Sequence, residues 1–438
     1  MKKVFSILSV FVLGMVALSS CSGDDNDGGG NGGDGIDTTV TDDKKFLEDT
    51  GKEFVGMFTA EQAAPYTSII NAIKDSDTKD VGEQIDDIID GLTAKTESPN
   101  LTVYKYAIKA SAFRGRYVMS NGVWYKNPGD GFVAEFQDDK GRICVLNATF
   151  SGATKKVILY EENRKRYIYN PDYTNYDITN EQRIYEAELP SHIECVLTQG
   201  GSQLATVVVN LDLSNLYEGQ RIELSRNSLN LDCVADFVGL AKVTVAKASY
   251  QAQGVSSVNV VVEKAGKQIL TANASSQSYL AGAPENMDDN LLKNVTNTVL
   301  DMDILGKVQI KGTCDNIGML KDALENADDY HNQYEEQKVR QYVNQANNLL
   351  KVSVYYYNKP EVRATLKFDV DKDESYRWDY NTGQSYMTYR YFPTASISFP
   401  DGSSYFMANY FNEDAFKSLV DMFNDLTKKV EDQVDTKR

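Results

Sequence analysis

Residues 364–370, ATLKFDV, alternate between apolar and polar side chains along their whole length. Because neighbouring side chains of a β-strand point to opposite faces of the sheet, this alternation predicts a strand with one buried and one wet face. Residues 258–263, VNVVVE, place Val258, Val260 and Val262 on one face in a similar way. Both segments therefore predict antiparallel strands.

Shorter strand-like runs, separated by Asn-Gly, Pro-Gly and Asp-Lys-Gly turns, precede these segments. Their β-branched and aromatic residues favour strands, and such turns join neighbouring antiparallel strands. The predicted meander of hairpins comprises the runs 101–110, 115–119, 123–126, 131–137 and 142–150. The Tyr-rich residues 160–186 are predicted to be irregular.

Apolar residues also recur at helical spacing, in the ranges 44–92, 291–299, 339–350 and 416–430. In the first range, Pro65 and Gly82 are predicted to break the helices. Amphipathic helices must bury their apolar side, so we expect them to pack against the sheet. The predicted fold class is α+β, with amphipathic helices packed on one face of a large antiparallel sheet. The sheet is either flat or curved.

The composition is that of a globular protein with an acidic bias. The 438 residues include 45 Lys plus Arg and 63 Asp plus Glu, which gives a formal net charge of −18. Phosphate binding needs clustered Lys and Arg, and the excess of acidic residues argues against an extended basic surface. A nucleic-acid partner is therefore not expected.

The amino terminus has the pattern of an export signal. Lys2 and Lys3 precede an apolar run, Val4–Leu18, which is shorter than the roughly 20 residues that cross a bilayer. The following residues, Ser19-Ser20-Cys21, complete a tetrapeptide with Leu18 that resembles the lipobox of bacterial lipoproteins. The resemblance implies cleavage before Cys21, acylation of Cys21 with fatty acids such as palmitate, and a stable membrane anchor.

An acidic, glycine-rich segment follows Cys21 and predicts a flexible tether. Acidic residues directly after the lipidated cysteine resemble the surface-export signal of Bacteroidota lipoproteins. This resemblance implies a lipid-anchored protein displayed on the outer face of the outer membrane, and a periplasm-facing protein is the alternative.

The predicted organisation has four segments. They are a signal peptide (1–20), the lipidated cysteine with its tether (21–43), a helical start followed by an antiparallel β region (44–283), and helices with a second β region and a final helix (284–438). One continuous body over the last two segments is the alternative.

Catalytic and metal motifs are sparse. The only two histidines, His192 and His331, occur in different settings, which excludes sites that need a histidine pair. Asp369, Asp371 and Asp373 resemble the start of an EF-hand loop, but the glycine and the closing glutamate of that loop are missing. We therefore predict solvated carboxylates in a hairpin turn, with no metal and no cofactor.

Four cysteines remain after Cys21, and their spacing is long: Cys144, Cys195, Cys233 and Cys314. Four cysteines allow three complete sets of disulfide bonds, and all three are consistent with the sequence. Their apolar neighbours favour buried free thiols over disulfides.

Aromatic residues concentrate in residues 376–391. Strand periodicity places Tyr376, Trp378 and Tyr380 on one face, and Tyr389 and Tyr391 follow an Asn-Thr-Gly turn. Beside Arg377, Asp379 and Arg390, such a ladder would suit stacking on sugar rings. The alternative is that these rings simply cover a sheet.

The favoured hypothesis is a non-enzymatic, lipid-anchored surface protein that binds glycan through these aromatic residues. The alternatives are a carrier that encloses a lipid or another apolar ligand between sheet and helices, a carboxylate-pair hydrolase, and a structural or adhesive protein. Whether the protein is an enzyme stays undecided, with a non-enzymatic role favoured, because no pair among 63 acidic residues can be singled out.

Overall fold

The computed structural model describes residues 38–74, 114–169, 176–220, 222, 226–280, 292–379, 383–407, 422, 425–426 and 428–429. The chain divides into two compact units. Unit I comprises Met1–Gln62, Gln253–Tyr279 and Asn286–Asp432, and unit II comprises Ala63–Ala252, Leu280–Glu285 and Gln433–Arg438.

Within the described ranges, sixteen strands and four helices give a sheet-rich fold that contains both α and β elements. The helices are α1 Thr38–Gly56, α2 Ala60–Lys74, α3 Ile317–Asp328 and α4 Glu336–Leu349, and a short 3-10 helix covers Leu292–Asn294. No described helix has both the length and the apolar character needed to cross a membrane.

Unit II contributes eight strands: β1 Gly115–Ser120, β2 Val123–Asn127, β3 Phe132–Gln137, β4 Ile143–Tyr169, β5 Tyr176–Gln199, β6 Ser202–Asp212, β7 Leu229–Phe237 and β8 Ala241–Tyr250. Their spatial order is β2-β1-β3-β4-β5-β6-β7-β8. Strands β1 and β3 are parallel, with Gly115 opposite Phe132. The sheet is therefore mixed, whereas the sequence predicts a purely antiparallel one.

Unit I contributes the other eight strands: β9 Gln253–Lys264, β10 Lys267–Tyr279, β11 Val295–Ile304, β12 Val308–Asn316, β13 Leu350–Tyr356, β14 Val362–Asp379, β15 Gln384–Ser398 and β16 Ser404–Phe406. Each pairs antiparallel with the next strand along the chain. Residues 258–263 and 364–370 thus lie in antiparallel strands, as their alternation predicts.

Two predictions of element type are wrong. Residues 160–169 and 176–186 are not irregular, because β4 and β5 continue their pairing from Tyr160 opposite Tyr185 to Tyr169 opposite Tyr176. The helix predicted over 291–299 is a strand from Val295 onward, where β11 pairs with both of its neighbours.

Pro65 does not break a helix, because it lies inside α2. Helix α1 ends at Gly56, and helix α2 begins at Ala60. The Thr59 N–H donates to the Gln62 side-chain oxygen at 3.2 Å, and the Gln62 N–H donates to the Thr59 hydroxyl at 3.4 Å. Such a reciprocal pair fixes the start of a helix. The other predicted break, Gly82, and the segments 101–110 and 416–421 lie outside the described residues.

The core of unit II forms where α2 meets the first strands. Ile69 packs with buried aromatic and small residues that include Tyr117, Trp124, Phe136 and Cys144. Polar contacts hold the helix in register, since Ser68 and Asn71 both donate to the Asp139 carboxylate in the β3–β4 turn. The turn that joins β3 to β4 is therefore the docking point of α2.

The core of unit I includes the packing of α3 and α4 against β14 and β15. Ala327, Val339 and Val343 from the helices are buried against Val370, with Phe368 and Tyr391 packed around them. Helix α1 contacts another part of the same unit, where the Phe46 ring lies 4.4 Å from the ring of Tyr356.

Candidate functional site

The candidate site is the outer part of the β14–β15 hairpin, which we call the aromatic ribbon: Lys372–Asp379 paired with Gln384–Tyr391. The register runs without a shift from Lys372 opposite Tyr391 to Asp379 opposite Gln384. Within the described residues, β13 pairs with β14 only as far as Leu366, and β16 pairs with β15 only over Ser396–Ser398. Over the described residues, the ribbon is therefore two strands wide.

One face of the ribbon, called the front face, carries four of the five predicted binding residues. Directly opposed residues of an antiparallel pair share a face. Tyr376 lies opposite Met387, Trp378 opposite Ser385, Glu374 opposite Tyr389 and Lys372 opposite Tyr391. The register thus brings Tyr376, Trp378, Tyr389 and Tyr391 to one face, and the fifth residue, Tyr380, lies outside the described residues.

The apolar and aromatic side chains of the front face are exposed towards the tip of the ribbon and packed at its base. Tyr376, Trp378 and Met387 are 72%, 55% and 51% exposed. Tyr389 is half-buried, with the Lys372 Nζ 4.6 Å from the centre of its ring. Tyr391 packs against the cluster around Val339 and Val343, so it is part of the core.

The opposite face, called the back face, carries the polar partners that we expected beside the ladder. Arg377 lies opposite Tyr386, and Arg390 lies opposite Asp373 and donates to its carboxylate at 2.7 Å. The Arg377 guanidinium carbon lies 4.3 Å from the ring centre of Tyr334 in the α3–α4 loop. Arg377 and Arg390 therefore do not flank the front-face rings as the sequence predicts.

The base of the ribbon is fixed at both of its edges. On the β15 side, the Tyr391 N–H donates to the Gln333 carbonyl at 2.7 Å. On the β14 side, the Asn347 amide accepts from the Phe368 N–H at 2.8 Å and donates to the Phe368 carbonyl at 2.7 Å. Gln333 lies just before α4 and Asn347 near its end, so α4 crosses the hairpin and holds the ribbon in place.

The three aspartates that resemble an EF-hand loop lie inside strand β14, so the predicted hairpin turn is wrong. Asp369 and Asp371 accept the N–H groups of Val370 and Lys372, each at 2.8 Å. These carboxylates therefore accept hydrogen bonds from two backbone N–H groups at the edge of β14. Among the described residues, no group of three or more His, Cys, Asp or Glu side chains could hold a metal ion.

Another acidic pair lies at the β11–β12 turn. Burial, together with the nearby Asp301 carboxylate, raises the pKa of Asp303, although a hydrogen bond from the Gly306 N–H opposes this shift. Asp301 accepts a hydrogen bond of 2.9 Å from the Gln309 amide. Both carboxylates thus have local partners that close the hairpin, so this pair gives no specific support to the hydrolase alternative.

The four described cysteines are free thiols. Cys144 and Cys314 are buried, and Cys195 and Cys233 are half-buried. Burial raises the pKa of Cys144 and that of Cys195 to about 11. Because the thiolate is the reactive form, these thiols are unreactive at neutral pH.

The register of β14 and β15 and the packing of α4 could not be read from the sequence. Met387 was missed as a front-face residue, although its position opposite Tyr376 follows once the turn is known. Lys372 was also missed as a front-face residue that lies over the Tyr389 ring. Comparison of the chain with protein-family profiles, with curated proteins and with solved structures finds no match.

Proposed function

We propose that the protein is a non-enzymatic binding module that binds glycan through the front face of the aromatic ribbon. The observation that carries this proposal is the exposure of Tyr376, Trp378 and Met387 together on one face of a two-stranded ribbon. Exposed apolar side chains grouped in this way are typical of interaction sites. Tyr and Trp offer flat rings with a polar edge, and the C–H groups of a sugar ring pack on such surfaces.

The front face is open, which favours glycan over an enclosed apolar ligand. Sites for apolar small molecules bury most of the ligand in a cleft or cavity. The rings at the tip lie on the outside of a ribbon only two strands wide within the described residues, so they would leave one side of a ligand in water. A glycan tolerates this because its hydroxyl groups stay hydrated.

We propose further that the helices of unit I share one face of its strands. The Phe46 ring of α1 contacts Tyr356, which shares its face with Val354, and Val354 is paired with Ala364 of β14. Ala364 alternates in phase with Phe368 and Val370, against which α4 packs. The front face of the ribbon continues this face beyond α4.

The location that we propose follows from the amino-terminal resemblance alone. Acylation of Cys21 would anchor the chain in the outer membrane, and the acidic tether after Cys21 is typical of lipoproteins displayed on the cell surface. The expected result is incorporation of labelled palmitate into the wild-type chain and none into Cys21→Ser. Equal labelling of both would contradict the anchor.

The binding proposal can be tested with the full-length chain in detergent micelles on a glycan array. Trp378→Ala and Tyr376→Ala should each weaken binding about tenfold, as expected for the loss of one stacked ring. Tyr386→Ala is the matched control, because Tyr386 is 49% exposed on the back face of the same ribbon. Absence of binding to any glycan, or equal loss in the control, would contradict the proposal.

A further inference from the structure

We infer that the front face takes an internal stretch of a linear, uncharged polysaccharide that lies along the ribbon. This inference rests on the proposed function and specifies its ligand class. It follows from the shape of the front face, from its charge and from the state of the ribbon edges.

The front face forms a narrow track rather than a pocket. Glu374 and Trp378 are four residues apart on β14, which corresponds to about 13 Å along the strand. The rings of Tyr376 and Trp378 lie along this line, and Met387 and Tyr389 lie on the neighbouring strand, about 5 Å across. A track longer than one sugar ring, with no described wall at its sides, suits a chain that continues past both ends.

The charges of the front face favour a neutral ligand. Its described charged side chains are Lys372 and Glu374, which are opposite in sign and two residues apart. Lys372 lies over the Tyr389 ring, and the arginines that could bind a carboxylate, Arg377 and Arg390, are on the back face. The formal net charge of −18 would also repel an acidic polymer.

The edges at the base of the ribbon argue against a peptide that adds there as an extra strand. Strand addition needs free backbone N–H and C=O groups along an edge. At the base of the ribbon, the N–H groups of Val370 and Lys372 are bonded to aspartate carboxylates, and that of Tyr391 is bonded to Gln333. A peptide strand therefore cannot pair along the base of the ribbon, whereas the front face towards the tip stays open to a ligand that stacks on side chains.

The test is calorimetry of the full-length protein in micelles with oligosaccharides from monomer to hexamer of β-1,4-glucan, β-1,4-mannan and β-1,4-xylan. Oligogalacturonates of the same lengths serve as the acidic counterpart. For a neutral series, affinity should rise with length by about tenfold for each further ring covered. Chemical reduction of the chain end should leave the affinity unchanged, Trp378→Ala should lower it, and Tyr386→Ala should not.

Three results would overturn the inference and leave the proposed function intact. They are equal affinity for monomer and hexamer, loss of binding when the chain end is reduced, and preference for oligogalacturonate. Absence of binding to every sugar titrated and to every glycan of the array would overturn both the inference and the proposed function. The two failures are therefore distinguishable.

Discussion

Replacement of Asp138 by asparagine should destabilise unit II, because this buried carboxylate organises the turn on which α2 docks. One carboxylate oxygen accepts the N–H groups of Lys140 and Arg142 at 2.9 and 2.8 Å. The other accepts from the Arg142 Nε at 2.7 Å and from the Gln199 Nε2 at 2.9 Å. The Asp138 side chain is fully buried, whereas that of Arg142 is 40% exposed.

The expected loss follows from the bonds that the amide cannot make. Asparagine keeps one acceptor oxygen for the two backbone groups, but its NH2 group would face the donors of Arg142 and Gln199. A hydrogen bond to a charged group contributes about 1.5–3 kcal/mol, and the exposure of Arg142 reduces its share because water can replace the lost partner. We expect Asp138→Asn to lower the free energy of unfolding of unit II by about 2–3 kcal/mol.

The loss should depend on pH. Burial alone would raise the pKa of Asp138, but hydrogen bonds from Arg142 and Lys140 outweigh burial and hold this pKa below its ordinary value. The stabilisation is therefore complete above the unfolded pKa of about 3.9 and is lost as the pH falls towards the folded pKa. The difference between wild type and Asp138→Asn should shrink between about pH 7 and about pH 3.

The assay is urea denaturation followed by tryptophan fluorescence. The chain has two tryptophans, Trp124 in the core of unit II and Trp378 on the ribbon. In a Trp378→Phe background, Trp124 reports on unit II alone. The control is Asp130→Asn, an exposed aspartate that should change stability by less than about 0.5 kcal/mol. If Asp138→Asn behaves like this control, or if its deficit is the same at both pH values, the reasoning is refuted.

Two further predictions concern the ribbon. Val339→Ala removes two buried methyl groups from the contact between α4 and β14, which should cost about 2–3 kcal/mol and speed hydrogen exchange of the Tyr391 amide, whereas Lys338→Ala should change neither. Asp371→Ala frees an edge N–H group, so sedimentation velocity should detect concentration-dependent self-association. Glu374→Ala removes the same charge from the front face, and association of this control to the same degree would point to charge rather than to the edge.

The sheet-rich fold could be predicted because alternation records which side of a strand is wet. Residues 364–370 do form part of β14, and the Gly-containing turns precede strands as expected. The prediction fails where pairing overrides local pattern. Residues 295–299 carry apolar side chains at a spacing that also fits a helix, but pairing with β10 and β12 on both sides makes them a strand.

Part of the candidate site could be predicted for the same reason. Strand parity places Tyr376 and Trp378 on one face whatever the partner strand is, and the structure adds Tyr389 to that face through the register. The alternation of side chains between the two faces of a strand does not show which of these rings is buried under a helix. Tyr391 has the same chemistry as Tyr376, yet it is packed against α4, because this helix reaches only the base of the ribbon.

The end of α4 therefore decides where burial of the front face stops. Along β14 the same face carries Val370, which is buried under the helices, then the charged residues Lys372 and Glu374, and then Tyr376 and Trp378, which are exposed. A face that only had to stay soluble would remain polar to the tip, as the back face of β14 does from Asp369 to Asp379. The front face instead returns to aromatic rings after Glu374, and this return supports the proposal that they serve a ligand.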